Sequence, residues 1–527
     1  MHTLFQGNKR ETIEPVKADV TGTVPSWLQG TLLRNGPGMF SVGETSYNHW
    51  FDGLALLHSF TFKDGEVYYR SKFLRSETFT KNMQANRIVV SEFGTMAYPD
   101  PCKNIFSKVF SYISHTIPDF TDNCLINFTK YGKDFYATTE TNYFQKIDPN
   151  TLETLQKLDY RKYVAVNVAT SHPHYDDEGN AYNMGTCIVD FRKPKYTIFR
   201  IPSTTPESEM RKTSCLKSLD IVCSIPCRSA LSPSYYHSFG MTENYIIFIE
   251  QPFKLDILRL ATAYYRGVNW ASCLKFDADD ITLIHLIDRK TGRPVHTKFY
   301  TEPLVLYHHI NAYEEDDHVI FDVITYKDNS LYDMFYLINI QQDSYDFEQK
   351  NKLSSKPFCQ RFVIPLLSEK GTEIGINLVR LKSTTATAIK KKEDTVFCLP
   401  EIICEGVELP RINYDYNGKK YRYFYSTRVE WRPVPTKIAK VDVMTKQIVE
   451  WSEDDCWPAE PVFVPAPDTK EEDDGVILSS IVSSNPSKPP FMLILNAKTF
   501  QEIARASINA DVHLDLHGIF IPRNSSG

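Results

Sequence analysis

Excess positive charge is the first thing this sequence lacks. Its 59 Lys and Arg stand against 65 Asp and Glu, a net charge of −6 over 527 residues, and that balance argues against a nucleic-acid binder, which carries a basic stripe. Long apolar runs are missing too. The opening Met1-His-Thr-Leu-Phe-Gln-Gly-Asn-Lys-Arg10 has no core of signal-peptide length. No window approaches the roughly 20 apolar residues of a membrane-spanning helix. The eleven cysteines are odd in number and scattered. Cys223 and Cys227 form C-x3-C without a second pair, which is poor for a zinc site and for a disulfide framework. Reduced thiols in the cytosol are expected, with the sequon Asn127-Phe128-Thr129 unused. Absent as well are the phosphate loop G-x-x-x-x-G-K-[ST], H-E-x-x-H and the nucleophile elbow. Arg34-Asn-Gly-Pro-Gly38 reads as a rigid turn, too short to cradle a dinucleotide. No feature points to an obligate protein partner.

Aromatic residues are abundant: 32 Phe, 30 Tyr and 6 Trp. That ring surface suits a β-rich fold or an apolar ligand tunnel, and composition does not separate the two. Short runs of Val, Ile, Tyr and Phe broken by turn residues read as strands. Leu54–Phe62, Lys63-Asp64-Gly65 and Glu66–Leu74 predict a hairpin with Asp-Gly at its tip. Further strands are predicted at Tyr245–Ile249, Val319–Tyr326, Met334–Ile340, Val476–Val482 and Met492–Leu495. Four turns share one form: Asp148-Pro-Asn-Thr151, Asp288-Arg-Lys-Thr291, Asp442-Val-Met-Thr445 and Asn496-Ala-Lys-Thr499. Each joins two apolar runs through Asx-x-x-Thr, where the Asx side chain can bond to the backbone two residues on. Hairpins recurring with one turn chemistry are what propeller blades look like in sequence, although a β-sandwich array could also supply them. No interdomain linker is evident, so residues 1–527 are expected to form one domain.

Two segments carry an amphipathic pattern. Across residues 105–117 a helix would gather Ile105, Phe106, Val109, Phe110, Ile113 and Ile117 into one sector, with Lys103, Lys108 and His115 outside it. Residues 253–265 are apolar over a broader arc, with Lys254, Arg259 and Arg266 nearby. Such helices rest in a bilayer interface or simply cap a core.

Of 14 histidines, four stand beside distinctive neighbours. They are His172 in Thr170-Ser-His-Pro-His-Tyr175, His237 in Pro233-Ser-Tyr-Tyr-His-Ser-Phe-Gly240, His308 in Tyr307-His-His-Ile-Asn-Ala-Tyr-Glu314 and His517 in Asp515-Leu-His-Gly-Ile-Phe520. No local motif connects them. Taken singly, each reads as an ordinary hydrogen-bonded histidine; in a propeller, one from each of four inner strands would converge on the axis. His308 and His309, adjacent on a strand, point to opposite faces, so only one of them can reach that axis.

The residues also resemble a family, the carotenoid cleavage oxygenases. The likeness runs from Leu28-Gln-Gly-Thr-Leu-Leu-Arg-Asn-Gly-Pro-Gly38 through His49-Trp-Phe-Asp-Gly53, Ser91-Glu-Phe-Gly-Thr95, Pro99-Asp-Pro-Cys-Lys103, Glu140-Thr-Asn142 and Pro461-Val-Phe-Val-Pro-Ala-Pro467 to His517-Gly518. It implies an all-β, seven-bladed propeller with a dome of loops and helices over one face, housing an apolar tunnel. By that resemblance His172, His237, His308 and His517 match ligands of a non-haem Fe(II), while His174, His309 and His513 match none. Glu140, Glu408 and Glu460 match carboxylates that receive the second ring N–H of the ligands. Phe51, His58, Tyr235, Tyr326 and Trp457 match residues of the tunnel near the iron.

The reaction implied is cleavage of β-carotene and related provitamin A carotenoids by O2 at the central double bond, with no NADPH, flavin or 2-oxoglutarate. Two other activities share the fold: off-centre cleavage of carotenoids and isomerohydrolysis of retinyl esters. Tyr235-Tyr236-His237 leans toward an oxygenase, since the isomerohydrolase pattern has an aliphatic residue just before the ligand. The amphipathic segments 105–117 and 253–265 would place the tunnel mouth on a membrane surface.

Overall fold

A computed structural model describes residues 2–5, 7–97, 120–188, 194–204, 214–342, 344–352, 354, 356–366, 373–429 and 434–523. Seven sheets of four or more strands, nearly all antiparallel, account for most of it, the seven-bladed propeller that the resemblance implied. The ring is closed twice. Asp19–Gly22, from the start of the chain, pairs with Glu502–Ser507 near its end. His517–Pro522, the last strand, pairs with Gly30–Met39 in the first large sheet.

Strand position explains the sequence patterns. His318–Tyr326, flanked by strands on both sides and by other sheets on both faces, is buried at all nine positions. It therefore reads as a continuous apolar run. Glu66–Phe73 lies nearer the outside and alternates buried and half-buried residues along its length. Its hairpin with Leu54–Lys63 turns at Asp64 and Gly65, with φ of 52° and 79°, the positive values that a two-residue primed turn requires.

The four Asx turns share their geometry as well as their letters. Asp148, Asp288, Asp442 and Asn496 each accept a backbone N–H two residues on, at 2.8–2.9 Å. Each closing threonine accepts from the residue two further on. The residue between, Leu152, Gly292, Lys446 or Phe500, is left-handed with φ of 58–66°. All four turns join the third and fourth strands of a blade.

Two local expectations are corrected. Met334–Ile340 is not a strand: helices span Ser330–Met334 and Leu337–Ile340. Leu331, Met334, Leu337 and Ile340 are buried at spacing three while Ile338 is 75% exposed, a helical period that a run of mixed apolar residues conceals. Arg34–Gly38 is not a turn but part of the ten-residue strand Gly30–Met39. Glycines on this strand and on its partner His517–Pro522 serve close approach: a Cβ at Gly36 would meet the Asp515 backbone at 2.7 Å, and one at Gly518 would meet the Leu33 carbonyl at 1.9 Å.

Residues 253–265 hold a short strand, Phe253–Leu255, followed by a helix, Ile257–Arg266. Segment 105–117 and the motif at 99–103 lie outside the described residues. The ten described cysteines are free thiols. Asn127 is buried, its amide donating to the Ser171 carbonyl. No described helix is long and apolar enough to cross a membrane.

Candidate metal centre

Four histidines meet where edge strands of four sheets converge, their ligand nitrogens all within 4.8 Å of one another. His172 sits in the loop between Val168–Ala169 and His174–Tyr175, its N–H held by the Thr170 hydroxyl. His237 precedes Gly240–Met241. His308 lies in Val305–Glu315, where the register shifts between Leu306 and His309 and again before Asn311. The Ser238 hydroxyl donates to the Tyr307 carbonyl and accepts from His309 N–H, tying the His237 loop to that strand. His517 opens the last strand opposite Asn35.

Three of the rings are oriented from behind by carboxylates. His237 Nδ1 bonds to Glu140, His308 Nδ1 to Glu408 at 2.7 Å and His517 Nδ1 to Glu460 at 2.6 Å. A carboxylate there fixes the proton on Nδ1 and leaves Nε2 with a free lone pair. Burial holds His517 down to about 4 despite Glu460, and it drives His172 well below the ordinary histidine range, with the neighbouring histidines adding to the effect. Both are neutral near pH 7, as a ligand must be. For His308, burial pulls downward, but Glu408 and the other glutamates outweigh it and raise the ring.

The donor set fits a metal ion. His308 Nε2 is buried without a partner, and the Nε2 atoms of His172 and His237 face each other at 2.8 Å. With the proton of each ring on Nδ1, a shared cation stabilises the two nitrogens at that distance. Nitrogens each about 2.1 Å from one ion sit roughly 3–4 Å apart, close to the observed spread. Four imidazoles fill the shell of a tetrahedral ion and leave positions open on an ion that takes six ligands.

Each glutamate has its own support. Glu140 accepts from the Tyr235 hydroxyl at 3.0 Å, which in turn accepts from Tyr332 at 2.6 Å. Glu408 accepts from Tyr326 and from Leu409 N–H, Leu409 being left-handed at φ 52°. Glu460 accepts from two guanidiniums, Arg34 and Arg411, both at 2.8 Å. Arg34 continues to Asp515, and Asp515 bonds to His58 Nε2 at 2.7 Å.

Two cavities lie beside the cluster. A narrow slot of about 170 Å³ is walled by Phe51, Phe93, Leu125, Trp270, Tyr235 and Tyr332, among others, and reaches Glu140. A wider cavity of about 900 Å³ is lined by His172, His308 and His517 with Arg411, Asn413 and Asp415.

Of the residues matched to the tunnel, Phe51 and Tyr235 face the slot. Tyr326 and Trp457 line neither cavity; both are buried, and Tyr326 supports Glu408. His58 is a correction. It is fully buried, held between Asp515 and the Tyr69 hydroxyl, so its polar ring completes an ionic network and lines neither cavity. His309 and His174 line the wide cavity rather than the cluster. Sequence reasoning missed Arg34, Arg411, Asp515 and Tyr332. An arginine inside an apolar strand, and an aspartate two residues before a candidate ligand, were the available signals.

Comparison with known proteins agrees with the geometry. Residues 5–522 match the family described as retinal pigment epithelial membrane protein. The chain is 67% identical to β,β-carotene 15,15′-dioxygenase of Gallus gallus over 100% of this chain and 99% of the relative. It is 41% identical to the mitochondrial carotenoid-cleaving dioxygenase of Homo sapiens over 96% and 88% of the two chains. Cobalt-substituted apocarotenoid oxygenase of Synechocystis superposes with a TM-score of 0.75 at 22% identity, covering 99% of this chain and 98% of that one.

Proposed function

We propose that this chain, which belongs to the retinal pigment epithelial membrane protein family, is a non-haem iron dioxygenase that cleaves the central 15,15′ double bond of β-carotene into two molecules of retinal. One observation carries the reading: four imidazoles converge on a single point beside a slot with hydrocarbon walls. His172, His237, His308 and His517 hold Fe(II), which when bound supplies the activation of O2 for addition across the alkene. Glu140, Glu408 and Glu460 keep the Nδ1 protons in place, so the lone pairs stay aimed at one site. One O2 and one alkene give two aldehydes, so no outside reductant is consumed.

The substrate has no polar handle, and selection falls to the walls of the slot. Phe51 and Tyr235 bury apolar surface at roughly 25 cal/mol per Å², and their ring faces attract positive charge developing on the polyene. Drug-sized ligands occupy pockets of roughly 300–1,000 Å³. A slot of 170 Å³ therefore admits a carotenoid only when its side chains part. Helix Ile257–Arg266 covers one side of it: Leu260 faces the slot, while Leu258 and Tyr265, seven residues apart on the outer face, are 60% and 53% exposed. That outer face supports peripheral contact of a cytosolic protein with a bilayer, through which a carotenoid enters without crossing water.

Greater likeness to the relative named for 15,15′ cleavage supports the central bond over an off-centre one. Iron-loaded protein given all-trans β-carotene and O2 is expected to yield retinal as its sole aldehyde. Long apocarotenals in the chromatogram would move the reading to off-centre cleavage, and retinol from a retinyl ester would move it to isomerohydrolysis.

A further inference from the structure

The slot and the wide cavity meet the histidine cluster differently. None of the four rings lines the slot; it touches Glu140, which holds His237 from behind through Nδ1. The wide cavity is lined by His172, His308 and His517 themselves. Tyr414, Asp415, Pro465 and Arg523 also line it and are exposed, so it opens to solvent. Arg411 in its wall is turned onto Glu460 and the Gly518 carbonyl.

Two further imidazoles line the same cavity with nitrogens that no protein group meets. His174 Nε2 donates to the Phe239 carbonyl at 2.7 Å, which leaves Nδ1 as a lone pair, buried and without a partner. Both ring nitrogens of His309 are buried and unpartnered. The His309 ring stands against Gly240, where a Cβ would meet its Nδ1 at 3.1 Å. The two rings therefore flank one short stretch, Phe239–Gly240. A divalent ion that leaves water loses its hydration, and the loss is costly unless other ligands replace it. The mostly apolar walls of the slot offer few; imidazole nitrogens are ligands for such ions.

We propose that the wide cavity is the port through which the metal ion enters and leaves, with the free nitrogens of His174 and His309 replacing its waters on the way. The two cavities then carry separate traffic, hydrocarbon on one side and ion on the other. His174 and His309 are way stations and not ligands of the resting ion. The inference rests on reading the four histidines as a metal site, and a metal site needs an entry path.

The test is the kinetics of metal exchange in the full chain, read without turnover. Metal-free protein is mixed with Co(II), whose visible absorbance reports occupancy, and loss is then followed in excess EDTA. A466W, which fills the wide cavity, should slow loading and loss alike by roughly tenfold at unchanged Kd, because a port alters the barrier and not the bound state. H174L and H309L should slow both severalfold, again at unchanged Kd. L260W, which fills the slot, should leave both rates as they are. I412W replaces A466W, and L274W replaces L260W, if either fails to fold. Unchanged rates in A466W, or equal slowing by L260W, overturn the port. Unchanged rates in H174L and H309L, or a shifted Kd such as damage to the cluster would cause, refute the way stations. Unmodified protein that takes up no cobalt at these histidines refutes the metal reading itself.

Discussion

The two cavities flanking the histidines differ in both size and chemistry. The slot is narrow and walled by Phe51, Phe93, Leu125 and Trp270, with Glu140 and Tyr235 toward the metal side. The other is about five times larger and presents Arg411, Asn413, Asp415 and three of the four histidines. A hydrocarbon placed in the second would strand those polar groups without water. Placed in the first, it meets mostly apolar side chains, with Glu92, Thr121, Thr139 and Thr141 among the exceptions. On the carotenoid reading proposed above, the side of approach follows from which cavity can be dried at less cost.

Removing the partition altogether has the largest expected effect. His237→Ala deletes the ligand tied to Glu140 on the slot side, and it should abolish iron content and turnover while circular dichroism still reports a folded propeller. Normal iron content in that variant would sink the ligand assignment. Next comes a direct contrast between the cavities. Leu125→Asp buries an unpaired carboxylate in the slot wall, a defect of about 3–5 kcal/mol, and should reduce kcat/KM for β-carotene by roughly a hundredfold or more. Ile412→Asn in the wide cavity should stay within about threefold, as mild polar changes at half-open positions do. Equal losses in the two variants would erase the distinction.

Smaller effects sharpen the comparison at its edges. Glu408→Ala should weaken metal affinity by about 10–100-fold, read by chelator competition, with KM little changed. His58→Leu should lower stability by about 1–3 kcal/mol through the hydrogen bond lost at Asp515, measured by denaturant unfolding, and leave the KM for β-carotene unchanged. A raised KM would return His58 to the slot. Smallest is the outer face of helix Ile257–Arg266. The pair Leu258→Asp and Tyr265→Asp should reduce co-sedimentation with lipid vesicles severalfold, while turnover of detergent-dispersed substrate holds.

What was legible in the sequence followed the range of the interactions. The Asx-x-x-Thr turns were readable because every bond that defines them lies within five residues, as Asp288 and its neighbours show. The hairpin at Asp64-Gly65 was readable for the same reason. Met334–Ile340 misled because its apolar letters satisfy a strand and a helix alike, and only burial against the core separates the two. Arg34 and His58 misled more instructively. Their partners Glu460 and Asp515 lie more than four hundred residues away, beyond any local pattern. The four histidines were nominated by resemblance and not by spacing, and their shared geometry exists only once the ring has closed.

That closure has a consequence for how the protein is made. The strand that completes the ring, His517–Pro522, also brings the fourth imidazole, and the carboxylate braced against Arg34 sits two residues ahead of it. During synthesis on the ribosome, three imidazoles emerge long before the fourth, so the four-histidine cluster cannot assemble until nearly all of the chain has been delivered. A stop codon shortly before position 517 would therefore be as damaging to the cluster as one far upstream, leaving strands of all seven sheets but only three of the four imidazoles.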